Sequence, residues 1–210
     1  EIASKLLGAP AEDLVARDRR IFVRGKPEKG IAIADVVRTG ASTENPHIFD
    51  GKGVYDVSKY VAPWGSQFVE VEVDTETGQV KLLRVVCAHD VGRVINLNGA
   101  EGQVEGGAHT GLGYALTEDL VLDDAGRPLN PRFLDYKVLG AADMPKVDVV
   151  FVESISPVGV FGAKGLGEMG LIPAAPAVAA AVHNAVGVWI RDLPITAEKV
   201  LMALKEKEKR

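Results

Sequence analysis

The sequence predicts an α+β fold in two subdomains, about residues 1–98 and 99–210, with helices packed on mixed or antiparallel sheets. Three stretches carry that expectation. QFVEVEVD alternates, with Val69, Val71 and Val73 on one face and Glu70 and Glu72 on the other, which is the period of a half-buried strand. GAEGQVEGGAHTGLGYALT, residues 99–117, instead spaces Val104, Ala108, Leu112, Ala115 and Leu116 by three and four, the period of a helix. VDVVFVES, nearly continuous in apolar character, reads as a further strand.

Along the chain, Ile2, Ala3, Leu6 and Leu7 recur at helical spacing until Gly8 and Pro10 stop them. That helix has no visible start, so further sequence is expected upstream. Glu12 to Gly40 reads as a short polar helix, a small hairpin through Ile21, Phe22 and Val23, and a second short helix around Ile33 to Val37. Residues 41–65 show no period and are dense in Gly, Pro, Asn and Ser, which predicts a long loop that is functional or lies against a partner. The strand QFVEVEVD then turns through TETG into QVKLLRVVCAHD, a hairpin in which Gly78 supplies a positive φ.

Beyond the helix at 99–117, EDLVLDDAGRPLN predicts a strand running into a D-D-A-G turn, and residues 156–172 a glycine-rich loop. Pro173 and Pro176 open a helix through AAPAVAAAVHNAV, since proline is tolerated in a first turn. TAEKVLMALKEKEKR closes as a helix capped by Thr196, its basic end suiting the helix dipole.

Composition narrows the function classes. With 47% hydrophobic and 25% charged residues, the chain is globular in type. A net charge of −5 gives no basic footprint for nucleic acid or an anionic membrane. The most apolar run, Leu171 to Ile190, is broken by His183 and Asn184 and does not read as a bilayer span. Cys87 is the single cysteine, which excludes an internal disulfide and predicts a reducing, cytoplasmic setting; at the end of an apolar strand it reads as a core residue.

Two regions carry chemistry. In the helix at 99–117, Gly102, Gly106, Gly107, Gly111 and Gly113 each cost up to about 1 kcal/mol relative to alanine, so close approach of a backbone or a bulky ligand is expected to offset them. Gln103, an amide flanked by glycine, suits a polar heterocycle. Glu105 and His109 share a helix face as metal ligands can, with His89 and Asp90 upstream, but the histidines are scattered and satisfied polar groups are the expectation.

In FGAKGLGEMG, Gly165, Gly167 and Gly170 spell G-x-G-x-x-G. A dinucleotide-binding turn would follow a strand directly and lead to a second parallel strand; here the strand ends well before Gly165 and none follows. What remains is a carboxylate, Glu168, on a G-x-G-E turn ahead of a helix. It is either a general base or a solvated acid near a helix start.

AHDVGRVINLNGAEGQVEGGAHTGLGYALTE and PVGVFGAKGLGEMG, in this order and at this separation, resemble the C-terminal part of the molybdopterin-binding large subunit of the xanthine dehydrogenase and aldehyde oxidoreductase family. The resemblance implies a molybdenum held by the dithiolene of molybdopterin, with the cytosine dinucleotide form as one option, and by no protein side chain. It implies hydroxylation of an aldehyde, purine or other N-heterocycle by water, with Glu168 as general base. Gln103 would bond the pterin, and the backbone around Lys164, Gly165 and Gly167 would line the metal side. Met169 and Gly170 stand where many relatives have prolines. One cysteine cannot hold a cluster, so 2Fe-2S and FAD centres are expected on other subunits or segments, together with the remainder of the molybdenum subunit. An oligomer, inactive as the isolated chain, is expected. A non-catalytic module that kept the scaffold is the rival reading, and a nicotinamide-dependent dehydrogenase fragment a remote one.

Overall fold

The computed structural model describes residues 1–42, 46–47, 49–55 and 61–209. The expected loop at 41–65 therefore lies partly outside the described residues. The chain forms two compact units that divide at Tyr55/Asp56, not near residue 98. The strands on either side of residue 98, at 84–90 and 146–152, pair with each other in one sheet.

In the first unit, α1 (Ile2–Leu7) ends at Gly8 in the left-handed region. The polar helix expected next is only a 3-10 turn, Ala11–Asp13. Leu14 and Val15 instead enter a strand opposite Val23 and Phe22, where both become half-buried. The sheet is antiparallel, β1 (Leu14–Arg17), β2 (Arg20–Val23) and β3 (Lys26–Ala32) in that order. Asp18 and Arg19, both with positive φ, make the first turn. α2 (Ile33–Ala41) follows, and Ala3 of α1 and Val36 of α2 are buried.

The second unit has a mixed three-stranded sheet. β4 (Trp64–Val73) and β5 (Val80–Asp90) form the expected hairpin. Gly78 has φ +78°, and a Cβ there would strike the Ala197 carbonyl, so both its conformation and its lack of a side chain are required. β6 (Lys146–Val152) pairs parallel to β5, Val85 opposite Val147 and Cys87 opposite Val149. A parallel partner needs a long crossover; residues 91–145 supply it, and this ties both sides of residue 98 into one sheet. The expected strand at 118–122 reduces to a single bridge, Leu122 to Pro128, around an Asp123 turn whose Oδ1 accepts from Ala125 N and Arg127 N.

Among the described residues three α-helices pack with this sheet: α3 (Leu97–Leu116), α4 (Ala174–Val186) and α5 (Ala197–Glu208). Thr196 caps α5, its Oγ1 accepting from Lys199 N at 3.3 Å. Val85 and Cys87 of β5 meet Val104, Ala108 and Leu112 of α3 and Val178 and Val182 of α4 in one core. The architecture is α+β. Among the described residues no helix is long and apolar enough to cross a membrane.

Candidate functional site

The site grows from the end of β5. Asp90 closes that strand, and its carboxylate gathers three donors, two of them from distant segments. Lys164 Nζ donates to Oδ2 at 2.6 Å, while Gly92 N and Ser154 N donate to Oδ1 at 3.0 and 3.3 Å. The Lys164 side chain is 6% exposed and that of Asp90 15%. The Lys164 ammonium, and after it the Gly92 amide, hold the Asp90 carboxyl below its ordinary value.

The backbone completes the joint. Lys164 N donates to Val91 O at 2.8 Å and Arg93 N to Gly162 O at 2.9 Å. Gly92 has φ +63°, and a Cβ there would strike Gly162 O. The D-V-G sequence is thus a requirement of contact with the F-G-A-K segment. Phe161 in that segment adopts φ +54°, a left-handed conformation costly for an aromatic residue, and is 77% exposed.

α3 begins at the same place. Asn96 caps it, its Oδ1 accepting from Gly99 N at 3.1 Å. Two turns beyond the cap Gln103 donates through Nε2 to Leu166 O at 3.4 Å, which joins α3 to the G-x-G-E turn. Val91, Arg93, Asn96, Gln103, Lys164 and Leu166 line a crevice of about 220 Å³ between the two segments.

Four glycines of α3 sort into two sets. Gly107 and Gly111 are packed, where a Cβ would meet the backbone of Gly170 at 2.9 Å and the Ala174 side chain at 2.5 Å respectively. Gly102 and Gly106 face open space, with nothing within 4 Å of a Cβ, and so do Gly165 and Gly167. The expected close approach of another backbone is present at the first set. The second set, around Gln103 and the turn, leaves room for a bulky group, and with the Gln103 amide and the crevice these residues fit a pterin.

Glu168 sits on that turn, two residues beyond Leu166. Its carbonyl accepts from Leu171 N at 3.1 Å and Ile172 N at 3.3 Å at the entry to α4, and its side chain is exposed. The shielding a general base needs does not come from the described residues of this chain.

Other sequence candidates fall elsewhere. Lys164 is committed to Asp90, so only its backbone is available to the crevice. His109 Nε2 lies 2.8 Å from Leu139 O, and Glu105 is exposed. Among the described residues no group of three or more His, Cys, Asp or Glu is placed to hold a metal ion. Cys87 is buried in the core, as its strand position suggests, and burial pushes its thiol up to about 11.

Two features escaped sequence reasoning. The partners Asp90 and Lys164 lie 74 residues apart, and Gln67 on β4 donates to Gly170 O across 103 residues. The one signal for the latter was a glutamine on the apolar face of an alternating strand.

Residues 1–145 match the sequence profile of the molybdopterin cofactor-binding domain. Over 204 residues the chain is 33% identical to the "Probable hypoxanthine oxidase XdhD" of Escherichia coli strain K12, covering 97% of this chain and 21% of that protein. Over 207 residues it is 35% identical to the "6-hydroxypseudooxynicotine dehydrogenase complex subunit gamma" of Paenarthrobacter nicotinovorans, covering 95% of this chain and 26% of that one. The crystal structure of quinoline 2-oxidoreductase from Pseudomonas putida 86 superposes with a TM-score of 0.82 at 33% identity, over 98% of this chain and 27% of that chain. The chain thus spans roughly a fifth to a quarter of the length of these proteins. It belongs to the molybdopterin cofactor-binding domain family, that of the xanthine dehydrogenase and aldehyde oxidoreductase molybdenum-binding subunits.

Proposed function

We propose that this chain is the part of a molybdenum hydroxylase that carries its general base, in an enzyme hydroxylating an electron-poor carbon of an N-heterocycle, purine or aldehyde. The observation that carries the reading is the joint between Gln103 and the G-x-G-E turn: one hydrogen bond sets the α3 amide beside the loop that bears Glu168, with open glycines on both sides. When bound, the molybdenum cofactor supplies the redox chemistry and withdraws two electrons from the substrate.

The chain's own residues do the rest. Glu168 accepts the proton from the water-derived oxygen as that oxygen attacks carbon. Gln103 offers an amide donor and acceptor to the pterin edge. Gly165 and Gly167 let the backbone come within contact of the group without a side chain intervening. The Asp90–Lys164 pair holds the turn to the end of β5. The remainder of the molybdenum subunit supplies the cover over Glu168, and electrons leave toward 2Fe-2S and FAD centres on other segments or subunits. The nearby relatives named for hypoxanthine and quinoline favour an N-heterocyclic substrate.

The test is co-expression with the rest of the molybdenum subunit and the electron-transfer subunits, followed by molybdenum analysis and dye-linked oxidation of hypoxanthine, quinoline and benzaldehyde. Near-stoichiometric molybdenum with oxidation of at least one substrate supports the reading. Full assembly with little molybdenum and no oxidation would make the chain a binding module that has kept the scaffold alone.

A further inference from the structure

Gln67 is the unexpected residue of the β4 core face. Its β5 partner is Cys87, and its face also carries Val69, Val71 and Val73, which pack on the same core. A glutamine in such a place carries a desolvation penalty that an aliphatic side chain would not. Gln67 is nevertheless only 8% exposed, and its Nε2 makes one short bond, 2.6 Å, to the carbonyl of Gly170.

Gly170 is the last residue of the G-x-G-x-x-G stretch, and it is held from two sides. A Cβ on it would lie 2.8 Å from Val104 O and 3.2 Å from Gly107 Cα, so α3 is closed against it. From the sheet, Gln67 fixes the direction of its carbonyl. The next two amides, Leu171 N and Ile172 N, donate back to Glu168 O. The path from β4 to the acid therefore runs through one side-chain hydrogen bond and one turn of backbone.

We propose that Gln67 is a positioning residue for Glu168: its amide anchors the end of the G-x-G-E turn from beneath and so sets where the carboxylate stands. This rests on the reading of Glu168 as the base. Gln67 touches neither substrate nor cofactor; it acts through Gly170, and its loss moves turnover more than binding. A base displaced by about 1 Å can cost a factor of roughly 100 in rate.

The experiment uses the assembled holoenzyme. Gln67→Met keeps length and volume and removes the donor. Gln67→Asn, which keeps an amide but falls short of Gly170 by a methylene, serves if the first variant fails to assemble. Expected are a 10- to 100-fold fall in kcat with KM within about twofold, molybdenum content equal to the parent, and faster hydrogen exchange at the Leu171 and Ile172 amides. Unchanged exchange at those amides, or unchanged kcat in an assembly where Glu168→Gln is inactive, overturns the proposal. An active Glu168→Gln enzyme would refute the base reading itself, while the exchange measurement still decides whether Gln67 holds the turn.

Discussion

Two alanine substitutions on one helix separate packing from propensity. Gly106 and Gly111 both lie inside α3, where exchanging glycine for alanine gains about 0.5–1 kcal/mol of backbone entropy. That gain is common to the two sites, so their difference isolates what the added methyl group meets. At Gly106 it meets nothing within 4 Å; at Gly111 it would lie 2.5 Å from the Ala174 side chain and 2.6 Å from Leu171 O. Neither neighbour can swing aside, one being a single methyl and the other backbone, so α3 and α4 must separate. Overpacking of this kind costs about 1–3 kcal/mol. Urea unfolding followed by circular dichroism reads it directly: with slopes of about 1–3 kcal/mol per molar, Gly111→Ala should unfold on the order of 1 M below Gly106→Ala. Equal midpoints, or a Gly111→Ala protein more stable than the parent, would refute the idea that α3 carries glycine there to admit α4.

Lys164→Met should change how stability depends on pH. The Asp90 carboxyl is held below its ordinary value in the folded protein, so its contribution is present above the unfolded carboxylate range and is lost as pH falls through the folded value. The variant loses the first cause of that depression; its urea midpoint should lie below the parent's at neutral pH and converge with it as pH falls below the ordinary carboxylate range. A constant offset across that range would contradict the ion pair. Cys87, buried and raised to about 11, should resist a thiol reagent at pH 7 in the native protein and react once on unfolding in urea; rapid native reaction would contradict its place in the core.

Periodicity made the second unit legible. The alternation at Val69, Val71 and Val73, the spacing of Val104, Ala108 and Leu112, and the Thr196 cap each appear as read. These signals are local, so a single segment contains all of each. The misreadings came where neighbours decide. Leu14 and Val15 become a strand because Phe22 and Val23 lie opposite, whereas Leu120 to Leu122 stay short of one because their backbone pairing goes no further than the Leu122–Pro128 bridge and the bond from Leu129 N to Val121 O, the Val121 amide turning instead to the Asn130 side chain. The boundary near residue 98 was misplaced because β5 pairs with β6 across it. The motifs around Gln103 and Glu168 pointed to one place, and Gln103 does reach the turn. The struts beneath them, Asp90 to Lys164 and Gln67 to Gly170, cannot be paired from sequence because long-range partners leave no period; a glutamine on an apolar strand face is the one trace of them.

Everything proposed for the reaction converges on Glu168. The direct measurement is the anaerobic rate at which substrate reduces the assembled holoenzyme carrying Glu168→Gln, with molybdenum determined on the same sample. Removal of a general base should lower that rate by about 10²–10⁴ while molybdenum content stays at the parent level. A variant that is reduced at the parent's rate with its metal in place would mean that the proton leaves by another group.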